Sequence, residues 1–241
     1  MIGKWNKSVI LTYISLAISI IGIALLFNGM SIKYPIICLI ISGVCDMFDG
    51  TVARRCKRDE EEKEFGIQLD SLVDTICFIV LPIVILCFTN FSLYFIPIYV
   101  LYAVCGIARL AYFNIKAPSS KAVSYYEGLP VTYIALLFPV FYLLFYVLKQ
   151  NAFIYLINTL TIILAILYVI RIKVPKPRLI ASIVLSLVAV IVTIIYILIY
   201  GEKRVIDVKK VIYLLQGKIS IFFKIITWSN CLWRNIFYCS S

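Results

Sequence analysis

Apolar residues run along this chain in long, nearly unbroken blocks, not in the two-residue alternation of a half-buried strand or the narrow stripe of a soluble helix. A helix needs about 20 such residues to cross roughly 30 Å of hydrocarbon. At that window the blocks fall at residues 8–27, 34–52, 67–89, 93–115, 129–148, 152–170 and 179–200. The pattern therefore predicts an all-α fold, a polytopic membrane helix bundle with seven spans. The first block follows Lys4 and Lys7 but is long and lacks a small-residue cleavage site, so it reads as a retained span. Pro82, Pro97 and Pro139 fall inside blocks and read as packing irregularities, which membrane helices tolerate.

Composition sharpens this picture. Hydrophobic residues make up 63% of the 241, against roughly 45–50% in soluble chains, and the mean hydropathy of +1.03 excludes an ordinary water-soluble globule. The formal charge of +11 has no soluble basic domain to carry it. It is read as contact with the anionic lipid bilayer and as membrane topology, with no nucleic acid as partner. Taken by alternate loops, one side holds Lys4, Lys7, Arg54, Arg55, Lys57, Arg58, Lys63, Lys116, Lys121, Arg171, Lys173, Lys176 and Arg178, and the other only Lys33 and Lys149. The positive-inside rule then predicts a multi-pass protein of the cell (cytoplasmic) membrane whose N-terminus and 54–63 loop face the cytoplasm. Seven spans would export Lys203, Arg204, Lys209 and Lys210. Residues 211–238 thus read either as an eighth span interrupted by Lys218 and Lys224 or as an interfacial amphipathic helix.

Histidine is absent, which excludes His general bases, His metal sites and Ser-His or Cys-His nucleophiles. The eight Cys form no C-x-x-C pair and read as small buried hydrophobes. Chemistry falls to the acids, and nine of the twelve lie between Asp46 and Asp74. Those at 59–64 are interspersed with a basic residue and read as a solvated loop. Asp46, Asp49, Asp70 and Asp74 differ, because they sit within or beside apolar blocks, where a lone charge is expensive. Helical spacing puts Asp46, Asp49, Gly50 and Ala53 on one face, and Gly66, Asp70 and Asp74 on another. Small residues on both faces permit close helix approach or space for a polar ligand. Four convergent carboxylates repel one another, and one or two divalent ions compensate them economically. All-oxygen ligation favours Mg²⁺ or Mn²⁺, and such a site suits phosphoryl transfer, with a spare carboxylate to take a proton from a hydroxyl. The readings to set against it are interhelical polar contacts, a structural scaffold and a divalent-cation transporter. The absence of a visible internal repeat and the position of the acids near helix ends weigh against the transporter.

The run Asp46-Met47-Phe48-Asp49-Gly50-Thr51-Val52-Ala53-Arg54, followed by Gly66, Asp70 and Asp74 at successive spacings of four, resembles the signature D-x-x-D-G-x-x-A-R…G-x-x-x-D-x-x-x-D of the CDP-alcohol phosphatidyltransferases. Eleven residues separate Arg54 from Gly66, more than the family usually has, which implies a longer charged loop beside an intact site. The resemblance implies membrane enzymes that transfer a phosphatidyl group from CDP-diacylglycerol to a small alcohol and release CMP. Carried over by position, Asp46, Asp49 and Asp70 become metal ligands, and Asp74 the general base with a further contact to the metal. Asp49, Gly50, Ala53, Arg54 and Gly66 would bind the CDP portion. A homodimer is implied as well.

A second segment narrows the acceptor. Cys105-Gly106-Ile107-Ala108-Arg109-Leu110-Ala111-Tyr112-Phe113-Asn114, then Glu127-Gly128-Leu129-Pro130 and Ile172-Lys173-Val174-Pro175, are similar to stretches of the phosphatidylserine synthase branch of that family. L-serine is thereby favoured as acceptor, with inositol phosphate or glycerol phosphate as the alternatives. Serine brings a carboxylate to be paired, for which Arg109 is the candidate, with Asn114 for polar contacts. Against this stands Arg109 as a helix-end cation reaching the interface, and Gly128-Leu129-Pro130 as a plain helix start. The similarities run over about residues 8–177. They imply a six-helix core at 1–178, with residues 179–241 adding one or two helices and a basic C-terminal segment.

Overall fold

The computed structural model describes residues 6–89, 92–116, 125–175 and 179–199. Eight α-helices run through them: α1 Ile10–Phe27, α2 Lys33–Arg55, α3 Glu60–Asp74, α4 Leu81–Thr89, α5 Ile96–Lys116, α6 Ile134–Tyr142, α7 Gln150–Val169 and α8 Leu179–Ile199. Helices α3 and α4 are joined without a break through a π-helical stretch, Thr75–Val80, and act as one span, Glu60–Thr89. Five helical stretches are long and apolar enough to cross a membrane: Ile10–Phe27, Lys33–Ala53, Glu60–Thr89, Leu93–Ile115 and Gln150–Val169. Shorter apolar stretches at Val131–Phe145 and Val184–Leu198 lie where the fifth and seventh blocks were expected. The protein is an all-α, multi-pass membrane bundle. One element is not helical: a small antiparallel ribbon, β1 Tyr125–Glu127 against β2 Lys173–Pro175, pairs the connection before α6 with the one after α7.

Two features of the expected layout are corrected. The acids at 59–64 do not form a loop. Asp59 accepts the Glu62 backbone N–H at 2.6 Å while the Glu62 carboxylate accepts the Asp59 N–H at 3.1 Å. This capping box starts α3 at Glu60 and puts Glu60, Glu61 and Glu62 at the positive end of the helix dipole. The extra residues between Arg54 and Gly66 therefore lengthen a helix and leave only residues 56–59 as connection. The residues from 200 onward, and with them the eighth-span question, lie outside the described residues, as does Lys121.

Helix α1 buries Thr12, Ser15, Ser19, Gly22 and Leu26, one residue per turn, against α2. In lipid such a seam gains from small residues and interhelical hydrogen bonds more than from apolar burial. Ser15 and Ser42 exchange bonds, each hydroxyl donating to the other's carbonyl at 3.2 and 3.1 Å, and the Ser19 and Ser42 hydroxyls lie 2.8 Å apart. After α1 the chain reverses through Gly29 at φ 78°, with Gly29 N–H donating to Leu26 O and Met30 N–H to Leu25 O. That is the six-to-one, five-to-two closure that places glycine in the left-handed region.

The π stretch has a cause in the sequence. Pro82 has no N–H to give to Phe78 O four residues earlier. The Tyr102 hydroxyl of α5 donates to that carbonyl instead, at 2.6 Å, and the Leu81 N–H reaches back five residues to Ile76 O. Tyr102, Tyr142, Tyr168 and Tyr196 are all fully buried, and their hydroxyls are used. Tyr142 meets Thr89 at 2.9 Å, Tyr168 lies 3.3 Å from Tyr102, and Tyr196 donates to Pro139 O at 2.8 Å, fastening α8 to α6.

Candidate active site

The α2 and α3 faces read from the sequence do meet. One carboxylate oxygen from each of Asp46, Asp49 and Asp70 lies within 4.8 Å of the others. Asp74, 8% exposed, sits one turn further along α3 and faces the Asp46 carboxyl. Two threonines from elsewhere in the chain complete the surround. Thr12 of α1 donates to Asp49 at 3.2 Å, and Thr132, at the start of α6, reaches Asp46. The acids open onto a cavity of about 510 Å³ that also exposes Gly50, Ala53, Gly66 and Arg109 on its wall. A Cβ built on Gly50 would meet nothing within 4 Å, and one on Gly66 would meet only the Arg58 guanidinium, at 3.7 Å. Both faces thus leave room for a ligand beside the acids.

The donor set is hard: carboxylate oxygens from two adjoining helices, with threonine hydroxyls behind them, and among the described residues no nitrogen or sulfur ligand joins the cluster. Three oxygens that converge so closely repel one another when ionised, and a cation between them relieves that repulsion. The acidic triad fits a divalent metal ion with oxygen preference.

Arg109 is not a cation reaching the interface. It is 7% exposed, its Nη2 donates to Gly128 O at 3.5 Å, and its guanidinium lies over the Phe113 ring with 5.7 Å to the centroid. Gly128 makes that burial possible: its φ is +83°, and a Cβ there would come 3.1 Å from Arg109 Nε and 3.1 Å from Tyr168 O. Gly128-Leu129-Pro130 is therefore the cradle of the arginine as well as a helix start. Gly128 N–H and Leu129 N–H tie the turn to Ile172 O and Leu167 O at the end of α7.

Asn114 is placed differently from the expectation. Its Oδ1 accepts from Ser71 Oγ at 2.8 Å and its Nδ2 donates to Gln68 at 3.4 Å, so it joins α5 to α3 and does not line the cavity. The side chain of Arg54 lies outside the described part of the chain, although its backbone belongs to α2. Thr12, Thr132 and Arg58, which belong to no motif in the sequence, also line the cavity. The polar stripe of α1 held a hint of Thr12; Thr132 and Arg58 carry no local signal. Leu185 and Ala189 of α8 close part of the wall as well.

Residues 5–169 match the sequence profile of the CDP-alcohol phosphatidyltransferase family. The chain belongs to that family. Among CDP-alcohol phosphatidyltransferases it is similar to the archaetidylserine synthase of Methanothermobacter thermautotrophicus, 32% identical over 159 residues that cover 65% of this chain and 63% of that protein. It is 38% identical to the CDP-diacylglycerol–serine O-phosphatidyltransferase of Saccharomyces cerevisiae over 100 residues, 38% of this chain and 35% of the relative. It is 33% identical to the enzyme of the same description from Helicobacter pylori over 122 residues, 48% of this chain and 50% of the relative. The chain thus spans between about a third and two thirds of the length of these relatives. Helix α8 lies beyond the family-matched residues and nevertheless packs on α2 and α6 at the cavity.

Proposed function

We propose that this protein transfers the phosphatidyl group of CDP-diacylglycerol to L-serine, releasing CMP and forming phosphatidylserine. The observation that carries the reading is one cavity lined by four aspartates and by the buried Arg109. A nucleotide-activated lipid needs the first, and an acceptor with its own carboxylate needs the second. The names of the three relatives, two serine O-phosphatidyltransferases and an archaetidylserine synthase, support the choice of acceptor. A cation transporter has no use for the open space beside Gly50 and Gly66 or for a buried arginine on the wall of the same cavity.

In this reading Asp46, Asp49 and Asp70 hold Mg²⁺ or Mn²⁺, and Asp74 is close enough to share it. Bound there, the ion offsets the charge of the diphosphate and polarises the phosphorus to be attacked. The protein's own groups do the rest. Gly50, Ala53 and Gly66 let the nucleotide lie against α2 and α3, Thr12 fixes the Asp49 carboxylate, and Arg54 pairs with phosphate. Arg109 holds the serine carboxylate, directing the hydroxyl toward Asp74. Asp74 accepts the hydroxyl proton as the serine oxygen bonds to the lipid-bearing phosphorus, and the bond from that phosphorus to the bridging oxygen breaks. The cavity opens to the cytoplasmic side of a cell membrane, following the lysine and arginine bias, and the enzyme works as a homodimer.

The similarity to an archaetidylserine synthase leaves a second donor to test: a CDP-activated ether lipid with the same head group. Purified protein with Mn²⁺ or Mg²⁺ is given CDP-diacylglycerol or CDP-archaeol and, in turn, serine, inositol phosphate and glycerol phosphate, and CMP release is followed. Release with serine is expected. Release with inositol phosphate or glycerol phosphate alone overturns the acceptor; absence of release with every pair overturns the transferase reading.

A further inference from the structure

Arg58 occupies a position that the aspartate motif does not explain. It belongs to the four-residue connection between α2 and α3, among the eleven residues that separate Arg54 from Gly66. That connection is pinned on both sides of Arg58. Asn6 donates to Lys57 O at 3.3 Å and to the Glu62 carboxylate at 3.1 Å, and Asp59 and Glu62 close the capping box. So held, the side chain turns inward onto the cavity wall. Its Nε is buried and has no hydrogen-bond partner among the described residues, and one Nη lies 3.7 Å from the position a Gly66 Cβ would take. A buried guanidinium N–H without an acceptor is costly, and a planar fork of donors on the wall of a cavity is suited to an oxyanion. On the same cavity the space over Gly50 is open.

We infer that Arg58 is a phosphate-binding residue on the nucleotide side of the cavity, contacting the phosphate that departs with cytidine. The inference rests on the proposed donor. During transfer the acceptor oxygen bonds to the lipid-bearing phosphorus, and the bridging oxygen keeps the electron pair of the broken bond. That oxygen leaves on the cytidine phosphate, while the acceptor proton passes to Asp74. The charge gained by the departing phosphate faces Arg58, whereas Arg109, held by Gly128 O and the Phe113 ring, remains with the acceptor. The two described cations of the cavity thereby divide between the two substrates.

The test uses the full-length protein with Mn²⁺ and two probes, CMP and cytidine, which differ only by the phosphate. Arg58→Gln is expected to weaken CMP binding by about tenfold or more, the scale of a lost charge-assisted hydrogen bond. Cytidine affinity and the KM for serine should stay within about twofold of wild type, so that the preference for CMP over cytidine falls by the same factor. Arg58→Lys keeps the charge and should recover part of the loss. Equal weakening of CMP and cytidine would overturn the inference by making Arg58 a structural support. Unchanged CMP binding would overturn it too, and failure of wild type to bind CMP would remove it together with the proposed donor. If wild type binds CMP with the expected Arg58 dependence but shows no turnover with serine, the acceptor assignment fails and the phosphate contact stands.

Discussion

Gly128→Ala is the perturbation whose consequences the structure specifies most fully. At φ +83° a side chain costs about 1–2 kcal/mol before any contact is considered. The added Cβ would then lie 3.1 Å from Arg109 Nε, 3.1 Å from Tyr168 O and 3.4 Å from Ile170 O. Two of these three neighbours are backbone carbonyls at the end of α7 and cannot swing aside. Either the arginine retreats or the turn opens, and opening it weakens the bonds from Gly128 N–H to Ile172 O at 2.7 Å and from Leu129 N–H to Leu167 O at 3.3 Å. One lost hydrogen bond of about 1 kcal/mol added to the conformational cost gives a destabilisation of about 2–3 kcal/mol. Because Arg109 yields with it, the KM for serine should rise at least about tenfold while that for CDP-diacylglycerol changes little. Thermal unfolding in detergent reads the first effect, and CMP release with each substrate varied in turn reads the second. A variant with the wild-type midpoint and wild-type KM for serine would refute both the cradle and the acceptor role of Arg109.

Three further outcomes follow from the same geometry. Asp74→Asn should abolish CMP release while Mn²⁺-dependent CMP binding persists; loss of that binding would make Asp74 a metal ligand first and a base second. Tyr102→Phe leaves Phe78 O without its donor next to Pro82, and should destabilise the bundle by about 1–3 kcal/mol, read as a lower midpoint of unfolding. Asp59→Ala removes the cap of α3 and should cost about 1 kcal/mol in the same measurement; an unaltered midpoint would mean that packing alone sets the start of the helix.

The bundle was legible because a bilayer demands long apolar blocks, and these leave little freedom in placing the helices. The aspartates were legible because helical periodicity alone puts Asp46 with Asp49 and Asp70 with Asp74, and repulsion among four acids calls for a shared cation. What lay beyond the sequence was what depends on contacts between distant segments. The acids at 59–64 look like a solvated loop until the Asp59 and Glu62 pair is seen to cap a helix. Arg109 and Asn114 lie five residues apart on one helix, yet one turns into the cavity and the other onto α3, a difference set by Gly128 on one side and Ser71 on the other. Thr12 and Thr132 reach the acids from helices far away in the chain, so no local pattern announces them. The ribbon between β1 and β2 has no signature beyond a few residues able to pair.

The central claim is that the facing carboxylates of α2 and α3 hold a divalent ion beside a nucleotide. Anomalous diffraction at the manganese edge, from crystals grown with Mn²⁺ and CMP, measures this most directly. A peak is expected among Asp46, Asp49 and Asp70, at about the 2.0–2.2 Å typical of small divalent ions and carboxylate oxygen, with the CMP phosphate against it. A peak elsewhere, or CMP bound away from these aspartates, would contradict it.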